Sequence, residues 1–130
     1  MSRKSRVFDN LKKVAMATPK VANHRHASAI VYRNRIISYG INSYKSSPFQ
    51  KRFSANEHHI FLHAEIACIK NCLRNLAVDD LKHCSLYVCR TRQDGSFGMS
   101  KPCGGCQMAI AEFGLKNVYY TDEYGGFIAL

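Results

Sequence analysis

Two short stretches hold the residue types best suited to metal chemistry: His63-Ala64-Glu65 and Pro102-Cys103-Gly104-Gly105-Cys106. Each opens a segment patterned as a helix. Ile66, Ala67, Ile69, Leu73 and Leu76 follow the first at roughly helical spacing. Met108, Ala109, Ile110 and Phe113 follow the second, which Gly114 closes as a C-cap. Both stretches are therefore expected at helix N-termini, where backbone N–H groups are free and the dipole favours negative charge. A Cys-x-x-Cys placed there brings two sulfurs toward one point and lowers their pKa, and the thiolate is the form that binds metal. One imidazole from the other helix would make three protein ligands. Three ligands and an open position form the pattern of a catalytic zinc, whereas structural sites close with four. A water in the open position would ionise at about pH 7. Glu65, two residues from His63, would reach that water without being a ligand. Other readings of the same residues stay open: a closed zinc knuckle or a redox pair for the cysteines, and a first-turn acid favoured by the helix dipole for Glu65.

The order H-x-E, then P-C-x-x-C, resembles the signature of the zinc-dependent cytidine/deoxycytidylate deaminase superfamily. The resemblance covers most of the chain, from about Ala27 to Tyr120. It implies that His63, Cys103 and Cys106 hold Zn2+ and that Glu65 takes a proton from the water and returns it to the base and to departing ammonia. It also gives a substrate contact to Asn42, in Gly40-Ile41-Asn42, and to backbone groups near Ala64 and Cys103. The residue after Asn42 is Ser43 where the deoxycytidylate branch often has Gly, which departs from the branch regulated by nucleoside triphosphates. The implied fold is α/β, a three-layer α/β/α cytidine-deaminase-like sandwich with a mixed five-stranded sheet, in a single domain over residues 1–130. Homo-oligomers, dimers or larger, are general in the superfamily, and the tyrosines and phenylalanines near the C-terminus are candidates for such an interface.

The rest of the chain supplies elements that would position these residues. Ser5 to Ala17 places Val7, Phe8, Leu11, Val14 and Ala15 on one helical face, with a solvated basic face opposite. Ala27–Tyr32 and Ile36–Ile41 read as a hairpin turned by Arg33-Asn34-Arg35. Leu86, Tyr87, Val88 and Cys89 form the continuous apolar run of a buried central strand. Thr91 to Lys101 reads as a polar connection, and Lys116 to Thr121 as a fourth strand. Only a short turn separates that strand from the apolar Phe127–Leu130, too short for a parallel crossover. A fifth strand there must run antiparallel to the fourth.

Net charge is +10, from 19 Lys and Arg against 9 Asp and Glu in 130 residues. That balance favours an anionic partner, either a nucleotide phosphate or a longer nucleic acid. Arg25 and His26, before the first strand, are candidates to face a phosphate. So are Arg90, Arg92 and Lys101 around the second motif. Ser43 to His59 is basic and irregular, with Phe49 and Phe53 interleaved. It is expected to roof the pocket, with Lys45 or Arg52 on a phosphate and an aromatic ring on a base. His59 is read as structural, because the two cysteines already complete a three-ligand set. Cys68, Cys72, Cys84 and Cys89 read as packing thiols, with a second zinc site from the first three as the other possibility. No apolar run reaches the about 18 residues that span a bilayer. The basic Met1–Arg6 is not followed by an apolar signal core, so a cytoplasmic protein is expected.

These residues favour hydrolytic deamination of a cytosine nucleoside or nucleotide, with no membrane partner. The other readings are a deaminase acting on a base within RNA or single-stranded DNA, and a non-catalytic zinc module that binds nucleic acid.

Overall fold

The computed structural model describes residues 2–20, 24–45, 48–52 and 62–130. Helix α1 (Arg3–Met16) is capped by the Ser2 hydroxyl, which accepts from the Ser5 amide. The hairpin β1 (Arg25–Tyr32) and β2 (Arg35–Ile41) closes through Arg33 and Asn34, at φ 50° and 66°. Two consecutive left-handed residues are what a two-residue hairpin turn demands, because only that twist matches the strands. Next come α2 (Pro48–Arg52), α3 (Ala64–Cys72), a 3-10 helix (Val78–His83), β3 (Ser85–Thr91), β4 (Phe97–Gly98), α4 (Gly104–Glu112), β5 (Asn117–Thr121) and β6 (Phe127–Ala129).

The sheet order is β2-β1-β3-β5-β6, with β4 pairing to β3 off this path. Only β3 and β5 are parallel; the other pairs, including β5 with β6, are antiparallel. The mixed five-stranded path and the antiparallel tail match expectation. The connection after Thr91 differs from it. It folds back as a hairpin, and Arg90 and Thr91 pair with Gly98 and Phe97, which adds the short sixth strand. Asp94 accepts from the Ser96 amide, and Gly95 adopts φ 87°, so a local turn formed within a polar stretch produces the pairing.

Strand alternation creates the layers. Ala27, Ala29 and Val31 of β1 and Tyr87 and Cys89 of β3 pack with Val7, Phe8, Leu11 and Ala15 of α1. The alternate residues Ile30, Leu86 and Val88 pack with Cys68, Ile69 and Cys72 of α3 and Ile110 of α4. Both faces of β1 and β3 are thus covered, as the apolar run in β3 requires. Cys68, Cys72, Cys84 and Cys89 are free thiols buried in these two clusters.

Helix α3 approaches β1 and β2 very closely. A Cβ at Gly40 would collide with the Ala64 carbonyl and the Cys68 amide. Ser28 Oγ donates to the Ala64 carbonyl at 2.6 Å, and Ser38 Oγ donates to that of Cys68 at 2.7 Å. The glycine lets the backbones meet and the two serines hold them there.

Candidate metal centre and active site

His63 is the N-cap of α3 and Cys103 the N-cap of α4, the positions expected for the two motifs. His63 Nδ1 lies 3.6 Å from Cys103 Sγ and 3.3 Å from Cys106 Sγ. The ligand atoms of these three residues all fall within 4.8 Å of one another, and they form the cluster of metal-ligating type found among the described residues. Zinc–nitrogen and zinc–sulfur bonds of about 2.0 and 2.3 Å set a nitrogen–sulfur edge of about 3.6 Å in a tetrahedron, so the spacing fits a tetrahedral zinc.

The electrostatics fit as well. Cys103 is pulled down to about 3 by hydrogen bonding from Cys106 and His63. Cys106 is pushed up by its hydrogen bond with Cys103, by burial, and by the charges of Glu65 and Cys103. Glu65 is raised by burial and His63 is raised by its hydrogen bond to Cys103. One thiolate, a second sulfur held neutral and a buried carboxyl concentrate potential negative charge that a dication would balance.

A cavity of ≈ 280 Å³ opens at this point. His24, His26, Asn42, Leu62, His63, Ala64, Glu65, Ser100, Lys101 and Cys103 line it, so Glu65 shares its wall with two of the three candidate ligands. The volume lies at the small end of ligand pockets. Glu65 is 5% exposed, which makes its carboxyl a desolvated acid facing a small cavity.

The other residues named from the sequence divide. Asn42 lines the cavity, but its side chain also clamps the start of β1: Oδ1 accepts from the His26 amide at 3.0 Å, and Nδ2 donates to the His24 carbonyl at 3.1 Å. One lone pair and one N–H of that amide stay available. Ala64 lines the cavity with its carbonyl committed to Ser28, which leaves its first-turn amide. His26 and Lys101 line the cavity, whereas Arg25 does not. Side chains alternate along a strand, and Arg25 instead donates from Nε to the Thr18 carbonyl beyond α1. Lys45 lines a separate groove with Tyr39, Lys70 and Arg74. Arg52 forms an ion pair with Glu112 of α4. Arg92 spends its guanidinium on Ser96, Phe97 and Glu123. The side chain of Phe49, and the whole of Phe53, His58 and His59, lie outside the described residues.

Three supports were not visible in the sequence. Gln50, 1% exposed, accepts from the His63 amide at 3.0 Å and so fixes the backbone that carries the imidazole. It sits on α2 with Arg52, so this five-residue helix touches both motif helices. Ser100 donates to the Val88 carbonyl and accepts from the Thr121 amide, stitching the approach to Pro102 onto β3 and β5. His24 lies beside His26, with ring centroids 5.9 Å apart. Only the polar character of Ser100 just before Pro102 offered a signal; Gln50 stood in a stretch with no period to read.

A three-layer α/β/α sandwich with a His/Cys/Cys cluster at two helix N-termini defines a zinc-binding class of protein. Residues 1–122 match the family described as the cytidine and deoxycytidylate deaminase zinc-binding region. The chain belongs to that family. Two solved structures show the same fold. The dCMP deaminase of cyanophage S-TIM5, in complex with dCMP and dUMP, is 19% identical at a TM-score of 0.62, covering 93% of this chain and 82% of that one. The cytidine deaminase of Burkholderia pseudomallei is 17% identical at a TM-score of 0.63, covering 94% and 90%. No curated protein sequence matches the chain.

Proposed function

We propose that the chain is a zinc-dependent hydrolase that converts the cytosine ring of a nucleoside or nucleotide, plus water, to the uracil product and ammonia. One observation carries this reading: Glu65, buried and outside the ligand set, opens on the same cavity as His63 and Cys103. A purely structural site has no use for a desolvated carboxyl beside an open position. Zinc held by His63, Cys103 and Cys106 supplies Lewis-acid polarisation and a lowered water pKa.

The chain's own residues do the remainder. Burial raises Glu65 above the usual carboxylate range, which suits its carboxyl to accept a proton and give it back. The free half of the Asn42 amide and the Ala64 amide orient the base. Leu62 lies between the cavity and the groove that holds Lys45, and it keeps bulk water from the reacting ring. Lys101 in the cavity lining suits a phosphate, which favours the monophosphate over the free nucleoside. The dCMP and dUMP bound to the cyanophage enzyme support the same choice.

Ammonia release from zinc-loaded protein tests the reading across cytidine, deoxycytidine, their monophosphates, adenosine, guanine and a cytosine-containing single strand, with Glu65→Ala as the blank. Turnover of a cytosine monophosphate above the blank is expected. Turnover confined to the strand would transfer the assignment to a base within nucleic acid, the reading the +10 charge favours. Silence on every substrate, with one zinc tightly held, would leave a non-catalytic module.

A further inference from the structure

A second basic site lies at the other end of β1. Arg3, Arg6, Val7 and Asn10 from α1, and Val31, Asn34, Arg35 and Ile36 from the hairpin, line a cleft of ≈ 580 Å³. Three guanidiniums and two amides face one space, and no carboxylate lines it. Arg3, Arg6 and Asn10 recur at i, i+3 and i+7, so they project from one face of the helix. Val7 and Val31 beneath them are buried core. Arg33, packed over the Tyr32 ring at 5.0 Å, adds a fourth guanidinium at the hairpin tip.

These arginines contrast with three others. Arg25, Arg52 and Arg92 are each spent on a protein oxygen. Arg3, Arg6 and Arg35 are exposed, and none of their side chains makes a hydrogen bond or ion pair to another described residue. Like charges gathered without a counter-ion repel, and planar guanidinium forks are the donors that fit phosphate oxygens two at a time.

We propose that this cleft binds the phosphodiester backbone of a nucleic acid. It is open and its guanidiniums are solvated, so one small anion gains little there; useful affinity requires several phosphates engaged together. The surplus of ten positive charges extends the field that such a chain would feel. The cleft is remote from the cavity. β1 begins at Arg25, next to the cavity-lining His26, and reaches the hairpin turn at Tyr32, seven residues later and about 23 Å along a strand. A mononucleotide in the cavity does not reach the arginines, so the site is independent of the proposed reaction.

The test is fluorescence anisotropy of the full chain with a labelled thymidylate single strand of about 20 nucleotides, long enough to fill a site, titrated over a range of salt. The variants are Arg3→Ala/Arg6→Ala/Arg35→Ala and a charge-matched control, Lys20→Ala/Lys82→Ala/Lys116→Ala, at exposed positions. The arginine variant is expected to weaken binding at low salt by about tenfold or more, and to flatten the log–log salt slope by about 2, three contacts at ~0.7 each. The lysine control should retain most of the affinity, and turnover of small substrates should stay unchanged in both. Should the triple variant melt early, Arg35→Ala alone is read in its place, with a slope change of about 0.7. Three results would overturn the proposal: no binding by the parent chain, equal loss in both variants, or stoichiometric displacement of the strand by tripolyphosphate, which would make the cleft a small-anion site.

Discussion

Glu65 and His26 face the same cavity, and burial acts on them in opposite senses. Burial raises the carboxyl and lowers the imidazole, because each loses its charged form when water is removed. Glu65→Gln keeps the shape and removes the proton acceptor. It should cost about 10²–10⁴ in turnover with zinc content unchanged, read by ammonia release beside metal analysis; loss of zinc would assign Glu65 to the metal instead. His26 is lowered from 6.5 to about 4, first by burial and then by His24, Arg90 and His63. Its neutral form belongs to the fold, so its contribution is intact above pH 6.5 and is lost as the pH falls through 4. The full loss is about 3 kcal/mol. Melting temperature should decline over that window, and His26→Gln should flatten the decline; parallel curves for the two proteins would reject this account. The His63/Cys103/Cys106 cluster and the cavity placement of Glu65 were legible because Cys-x-x-Cys and His-x-Glu carry chemistry in their spacing alone. The placement of Arg25, Lys45 and Arg52 was not, because a cation's charge does not say which oxygen lies nearest. Glu112 lies 60 residues from Arg52, and Thr18, seven residues before Arg25, offers a backbone carbonyl, which no side-chain type marks.

Among the elements, α3 bears the greatest positional demand, since its first turn carries His63, Ala64 and Glu65 into the cavity. Gly40 sets its distance from the sheet. Gly40→Ala forces the helix outward, an overpacking worth about 1–3 kcal/mol. A lower urea midpoint is expected, together with weaker zinc binding; an unchanged metal affinity would show that α3 moves without its first turn. Gln50→Ala unties the His63 amide, which leaves a donor unpaired at a cost of about 1–3 kcal/mol. The effect should concentrate in metal affinity and turnover rather than in the global melting curve, where loss of fold would point to a packing role. Most strands and helices with a clear period were read within a residue or two, as with β2 at Arg35–Ile41, but α3 ends at Cys72, and Leu73 and Leu76, read as part of it, lie in the turn that follows. The five-residue α2 and the two-residue β4 are too short for any period to show, and tertiary contacts define both.

For the molecule as a whole, the tail closes the sheet. β6 pairs with β5 over three positions, and Phe127 stacks on Phe8 of α1 with ring centroids 4.3 Å apart. Removing residues 127–130 should cost about 2 kcal/mol, an aromatic pair plus ladder bonds, seen as a lower melting temperature with turnover per bound zinc retained. The antiparallel direction of this strand was readable because a length rule decided it. The three layers were expected from the family resemblance, and the unbroken apolar run of β3 agreed with them by requiring burial on both faces. The arginine cleft was not, because α1 read by itself showed only a solvated basic face, and the hairpin that completes the site lies elsewhere in the chain.

The two halves of the metal cluster come from helices that meet over little more than Ile66, Cys106 and Ala109. His63 and Cys103 stand 40 residues apart. An ion gripped by both is therefore a cross-link that closes a long loop, comparable to a disulfide of the same span. In chain-entropy terms such a tie restricts the unfolded ensemble by about 4 kcal/mol. Chelation would reopen the loop and loosen the contact between α3 and α4 first, while α1 keeps its packing on β1 and β3.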